Sequence, residues 1–142
     1  MEEVRCTYRV STKAIITNPA GDILLLHEEG EGWELPGGGL EQGENPREAL
    51  ERELIEETGY SVDWIDDTPA AFWTIHKEVG SPTLKWFAFV GYKAKVSGDF
   101  KPTLETEHET AHLEAKFFSL AEAAELDLHD NTRPFIENVR EH

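Results

Sequence analysis

The sequence predicts a mixed fold of α/β (α+β) class. One helix is marked at both ends, β-type segments lie before and after it, and two short helical segments close the chain. From the N-terminal side, Tyr8 to Thr17 is mostly β-favouring and ends at Asn18-Pro19-Ala20-Gly21-Asp22, a cluster of turn-forming residues. Ile23 to His27 reads as a second strand, so the two are expected to pair as a hairpin. Glu28 to Gly32 is a polar loop, and Trp33-Glu34-Leu35 is a short extended piece halted by Pro36. Pro36-Gly37-Gly38-Gly39 is expected to be irregular, since glycines accept conformations and close approaches that side chains block.

The helix follows. Asn45 suits an N-cap, Pro46 the first helical position, and Glu48 the acidic position of a capping box. The helix is expected to run to about Thr58, where Gly59 supplies the stop. Further β segments are expected at 61–66, 70–78 and 84–96, the last two joined by a turn at Gly80-Ser81-Pro82. Gly98 to about His112 is a polar acidic loop, Lys116 to Ser119 a last short strand, and Ala121 to Leu126 and Pro134 to Glu141 two short helices.

The chain has 142 residues, one domain's length, and can bury a core without disulfides. Its hydrophobic (39%) and charged (30%) fractions are those of a globular protein. Cys6 is the sole cysteine, which excludes an internal disulfide and fits a reducing compartment. The first residues lack a basic stretch followed by an apolar one, and the longest apolar runs are too short to span a bilayer, so a cytoplasmic location is expected. The net charge of −16 argues against a nucleic-acid strand or an anionic membrane as partner. A phosphorylated small molecule would be repelled too, unless metal ions or some of the 13 Lys and Arg residues offset that field.

The helix carries the chemistry. At about 100° per residue, Glu53, Glu56 and Glu57 fall within roughly a 100° arc. Ala49 lies in the middle of that arc, and Leu50 and Leu54 lie beside it facing the core. Three carboxylates at these spacings repel one another, so a cation is expected among them. Mg²⁺ takes oxygen ligands and keeps coordination positions for phosphates, and Mn²⁺ would also be accepted. Glu48, one turn before Arg52, is expected to hold that arginine. The Gly37–Gly39 loop precedes the helix, and its backbone can approach the metal, the Gly37 carbonyl being one possible ligand. An acidic helix face is more often plain solvated surface; the wider spacing is what argues otherwise.

That spacing resembles the Nudix box: Gly38, five residues, Glu44, seven residues, then Arg52-Glu53-Leu54-Ile55-Glu56-Glu57-Thr58-Gly59-Tyr60. Tyr60 stands where the pattern asks for an aliphatic residue. The motif spans 23 of the 142 residues, and Trp33-Glu34-Leu35-Pro36-Gly37 is similar to the family's usual lead-in. The resemblance implies a mixed β-sheet sandwiched between α-helices. It implies metal-dependent hydrolysis of a phosphoanhydride bond in a nucleoside diphosphate linked to another moiety. By the same resemblance Glu53, Glu56 and Glu57 are metal ligands with the Gly37 carbonyl, Arg52 orients Glu53, and Glu44 stabilises the loop–helix geometry.

The general base is left open. Glu109 and His112, in the acidic loop before the last strand, are the candidates, with Glu107 behind them and Glu53 or Glu57 as alternatives. For substrate contacts, Trp33, Gly38, Gly39 and Arg9 are singled out. Phe72, Trp73, Trp86 and Phe87 are further faces on which a base could stack, and Arg5, Lys13, Lys77 and Lys85 further cations for phosphates. At such strand positions most aromatics are simply core. His76 reads as a structural or surface histidine. The ending Asn131-Thr132-Arg133-Pro134-Phe135-Ile136 resembles the tail of nucleoside-triphosphate and dihydroneopterin-triphosphate pyrophosphatases of this family, and also that of small dinucleoside-polyphosphate hydrolases. The expected partner is a small nucleotide, with the protein a monomer or homodimer. The alternatives are a catalytically silent nucleotide sensor, which would normally have lost box carboxylates, and a plain acidic Ca²⁺ or Mg²⁺ binder, in which the glycines and Arg52 have no purpose.

Overall fold

The computed structural model describes residues 7–77, 86–102 and 113–141. Seven strands and three helices occur among them: β1 (Tyr8–Ile15), β2 (Ile23–Glu28), β3 (Gly37–Gly39), α1 (Pro46–Thr58), β4 (Ser61–Ile65), β5 (Ala71–His76), β6 (Trp86–Ser97), β7 (Leu113–Phe118), α2 (Leu120–Ala124) and α3 (Arg133–Glu141). Of the expectations above, the turn at 80–82 and the candidates Arg5, Cys6, Lys85, Glu107, Glu109 and His112 lie outside the described residues.

β1 and β6 pair in parallel at the centre of a mixed sheet, with Tyr8 opposite Trp86 and Ile15 opposite Lys93. β3 pairs antiparallel with the other edge of β1. The free edge of β6 is shared antiparallel by β5 along its first half and β4 along its second. β2 pairs with β7 in a separate two-stranded ribbon.

Two expectations are corrected. β2 does not form a hairpin ladder with β1. Asn18 makes the expected turn, its Oδ1 accepting from the amides of Ala20 and Asp22. Only the Thr17–Ile23 bridge and the bond from Leu24 N to Ile16 O (2.9 Å) join the two strands. A strand has two edges, and β3 and β6 occupy both edges of β1. The second correction is that Gly37–Gly39 is strand, not irregular loop. Lys13, Thr12 and Ser11 pair with Gly37, Gly38 and Gly39 in turn. The glycines serve close approach here: a Cβ on Gly37, whose φ is +134°, would collide with the Thr12 carbonyl oxygen.

Side-chain alternation along the strands feeds two cores. Ala14 and Leu24 join Leu50 and Leu54 of α1 in one. Ile23 and Leu25 join Ala123, Phe135 and Ile136 of α2 and α3 in the other. Helices therefore cover opposite faces, as expected. Among the described residues no helix is long and apolar enough to cross a membrane.

Candidate active site

α1 begins and ends as its sequence predicts. Asn45 accepts from the amide of Arg47, Pro46 opens the helix, and Gly59 caps it in the left-handed conformation at φ 71°. Ala49, Leu50 and Leu54 are fully buried, which fixes the rotation of the helix and turns Glu53 and Glu57 toward β3. A Cβ on Gly38 would lie 2.7 Å from the Glu53 carboxylate. The Gly37 amide donates to Glu57 Oε1 at 2.8 Å. On the other side of this thin strand, a Cβ on Gly39 would strike the Arg9 guanidinium, which donates to the Leu40 carbonyl at 2.7 Å. Three glycines thus separate a pair of carboxylates from an exposed arginine by nothing more than backbone.

Arg52 is held by Glu44, not by Glu48 as the helical spacing suggested. Its Nε and Nη2 donate to the two Glu44 oxygens at 2.9 and 3.1 Å, a bidentate fork. Its Nη1 reaches Glu53 at 3.2 Å and Glu56 at 3.3 Å. Glu48 is exposed on the first turn of α1. Arg52 and the Glu41 amide hold the Glu44 carboxyl down to a pKa of about 2. Desolvation does the opposite for the others: it pushes Glu53 up, and pushes Glu57 up to about 8 despite nearby Lys13 and the Gly37 amide. Perturbations of this kind gather where carboxylates are kept ready for a cation or a proton.

Among the described residues no three His, Cys, Asp or Glu side chains already stand in a metal-ligating group. Each box carboxylate is instead held by its own partner, Glu57 by the Gly37 amide and Glu53 and Glu56 by Arg52. The donor set nonetheless fits a hard divalent cation. It is all oxygen, it lies on one helix face, and burial withdraws Glu53 and Glu57 from water while Glu56 stays partly exposed. A cleft of about 150 Å³ opens beside it, lined by Glu57, Glu34, Glu28, His27, Leu26, Phe100 and Leu113.

The other candidates are scattered. Trp33 stacks on His27 (centroids 4.7 Å apart) and meets Phe118 edge-on, so one of its faces is already covered. The strand aromatics divide by register. Phe72 and Trp86 face the α1 side of the sheet, where Trp86 stacks with His76. Trp73 and Phe87 face the other side, where Trp73 packs on Phe89 and Phe135 and donates to the Asn131 carbonyl. Lys77 pairs with Asp130 at 3.4 Å. Lys13, named as a phosphate contact, is buried: its Nζ donates to Glu34 Oε1 and the Leu35 carbonyl, both at 3.1 Å. Sequence reasoning missed Glu34 and Thr132, whose hydroxyl accepts from the Leu35 amide at 2.9 Å. No local pattern marks a contact across 97 residues.

The NUDIX domain model matches residues 7–139. An RNA pyrophosphohydrolase of Shewanella sediminis is 29% identical over 96 residues, covering 67% of this chain and 49% of its own length. Another from Helicobacter pylori is 34% identical over 96 residues, covering 62% and 60%. The chain thus spans about half to three fifths of the curated relatives it matches. Among solved structures, a MutT NUDIX hydrolase from Burkholderia pseudomallei superposes with a TM-score of 0.73 at 24% identity, over 94% of this chain and 98% of that one. This last likeness concerns the fold.

Proposed function

This chain belongs to the Nudix family, and we propose that it is a divalent-metal-dependent pyrophosphohydrolase acting on a small nucleotide, a nucleoside diphosphate linked to another group. The observation that carries this reading is the side-chain-free strand β3, with Glu53 and Glu57 packed on Gly38 and Gly37 and the Arg9 guanidinium against Gly39. An anionic site for cations and a cationic site for phosphate lie one strand apart, which suits a diphosphate laid along that edge.

In this reading Glu53, Glu56 and Glu57, with the Gly37 carbonyl, hold Mg²⁺ or Mn²⁺. The bound ion would neutralise the diphosphate and acidify water. Arg52, clamped by Glu44, orients Glu53 and Glu56. Arg9 and the Gly38 and Gly39 backbone receive phosphate, and Trp33 borders the substrate. A water molecule attacks one phosphorus, the bond to the bridging oxygen breaks, and a nucleoside monophosphate or its equivalent leaves. The proton of that water goes to Glu109 or His112. Phe100 and Leu113, which flank the segment carrying both, line the cleft beside Glu57.

The test is a Mg²⁺-dependent phosphate-release screen with coupled phosphatases. It would cover canonical and oxidised nucleoside triphosphates, dinucleoside polyphosphates, ADP-ribose, nucleotide sugars and dihydroneopterin triphosphate. A 5′-triphosphorylated RNA oligonucleotide belongs in it because relatives are named RNA pyrophosphohydrolases. Chelator-sensitive release from a mononucleotide is the expected result. Silence with folded protein would favour a nucleotide sensor, and release from RNA alone would overturn the small-molecule assignment.

A further inference from the structure

Lys13 is the one charged side chain among the described residues that is almost wholly buried, at 2% exposed. An ammonium withdrawn from water is costly unless its surroundings require it. Its two hydrogen bonds grip adjacent residues, Glu34 through the carboxylate and Leu35 through the carbonyl. Its own backbone faces Gly37, where an added Cβ would come within 2.9 Å of Lys13 Cα. Gly37 in turn gives its amide to Glu57. The same positive charge acts on both Glu57 and Glu53.

We propose that Lys13 is a positioning residue for the carboxylate helix: its ammonium, held by Glu34 and the Leu35 carbonyl, is a built-in cation that fixes where Glu57 sits and limits how tightly the cluster binds a divalent ion. This rests on the reading of α1 as a divalent-ion site. Two effects of opposite sign follow. Removing the charge leaves the carboxylates more negative, so a divalent ion binds more tightly. Removing the side chain also frees Glu34 and Leu35, so the Gly37 amide and Glu57 lose their setting and turnover falls. A lysine that merely stabilised the fold would weaken binding and turnover together.

The experiment measures Mn²⁺ affinity by electron paramagnetic resonance on the full chain without substrate. It titrates Mn²⁺ anaerobically at a series of pH values and takes the proton-free limit, because the Lys13 charge also favours the ionised form of Glu57 and its loss lets protons compete further, and it compares wild type, Lys13→Met and Lys13→Arg. Turnover is read in parallel on whichever nucleotide the screen identifies. Lys13→Met is expected to bind Mn²⁺ about fivefold or more tightly, the scale on which one unit charge acts on a divalent ion even with water-like screening. Its kcat should fall about tenfold or more, the usual cost of loosening a group that sets a metal ligand. Lys13→Arg, which keeps the charge, should stay within about twofold of wild-type affinity. A folded Lys13→Met that binds Mn²⁺ as wild type does, or more weakly, overturns the proposal. If Lys13→Met does not fold, Lys13→Gln decides, since its amide keeps a donor for Glu34 and the Leu35 carbonyl while the charge is removed. Mn²⁺ should again bind about fivefold or more tightly, and unchanged or weaker affinity overturns the proposal. Wild-type protein that binds no Mn²⁺ overturns the ion-site reading itself, a separate and recognisable failure.

Discussion

The two faces of the sheet are built on different terms. On the α1 face the decisive contacts span at most 20 residues and each involves a charged side chain: Arg52 with Glu44, Glu53 and Glu56, and Glu57 with the Gly37 amide. On the α2/α3 face, the Lys13–Glu34 pair apart, they are longer in sequence and neutral. Leu35 N meets Thr132 Oγ1, Trp73 Nε1 meets the Asn131 carbonyl, and Ile23, Leu25 and Phe118 pack on Phe135 and Ile136. The first face holds carboxylates where desolvation opposes their charge. The second supplies mainly apolar burial, with the Lys13–Glu34 pair as its buried charge. Activity and stability should therefore be separable by face, since residues that serve chemistry are often held at a cost to stability.

The largest effect tests that separation. Glu57→Gln should lower kcat by at least about a hundredfold, the usual order for losing one group that stabilises the transition state. Its metal-free melting temperature should stay level or rise, because a carboxylate opposed by desolvation has gone. Phe135→Ala on the other face should do the reverse, costing about 3–5 kcal/mol of stability through the cavity left behind. Its kcat per folded molecule should change little. Calorimetry and steady-state kinetics on both variants decide it. A Glu57→Gln enzyme with near-normal turnover would remove Glu57 from the machinery.

A second test uses pH and metal removal. Glu57 has a folded-state pKa of about 8 against an ordinary 4.5. Between those values the folded protein holds a proton that the unfolded chain has released, so stability falls as pH rises through that window. In a chelator, melting temperature should decline from about pH 5 to about pH 8 and then level, an effect of up to a few kcal/mol. Saturating Mg²⁺ should flatten the decline by taking the place of the proton. Glu44 does not interfere, because its depressed pKa of about 2 places its contribution at lower pH: that stability is present above about 4.5 and is lost only as pH falls toward 2. Subtracting the Glu57→Gln profile isolates the Glu57 share. A chelated profile that is flat or rises across this range contradicts the burial argument.

The same contrast explains what could be read in advance. α1 was legible to its ends, because Asn45, Pro46 and Gly59 act locally, and its three glutamates lie within one turn. Even there Arg52 was assigned the wrong partner. The i−4 rule favoured Glu48, but Glu44 lies in the loop before the helix, where loop geometry and not helical spacing brings it near. β3 was misread because glycine has low strand propensity, whereas tight packing against Thr12, Glu53 and Arg9 left room for nothing larger. The β1–β2 hairpin was misread because the turn is genuine while both edges of β1 are claimed by strands distant in sequence. Lys13 looked like a surface phosphate contact because nothing in its immediate neighbours announces Glu34 or the Leu35 carbonyl.

The smallest effect compares the caps of the two faces. Ser119 and Glu122 form a complete capping box on α2, a signature that the sequence carries openly as Ser-x-x-Glu. Asn45 makes a single cap bond on α1. Ser119→Ala and Asn45→Ala should each cost about 1 kcal/mol, so their melting temperatures should fall by similar amounts. Their turnover should differ. Asn45 adjoins Glu44, the residue that clamps Arg52, so fraying at this end of α1 reaches Glu53 and Glu56 through the arginine. Asn45→Ala should lose a few-fold in kcat, roughly what a small shift of a positioning group costs, while Ser119→Ala should lose none. Equal losses of kcat in the two variants would mean that the Glu44–Arg52 fork does not depend on the helix start, and that the α1 face owes its geometry to β3 alone.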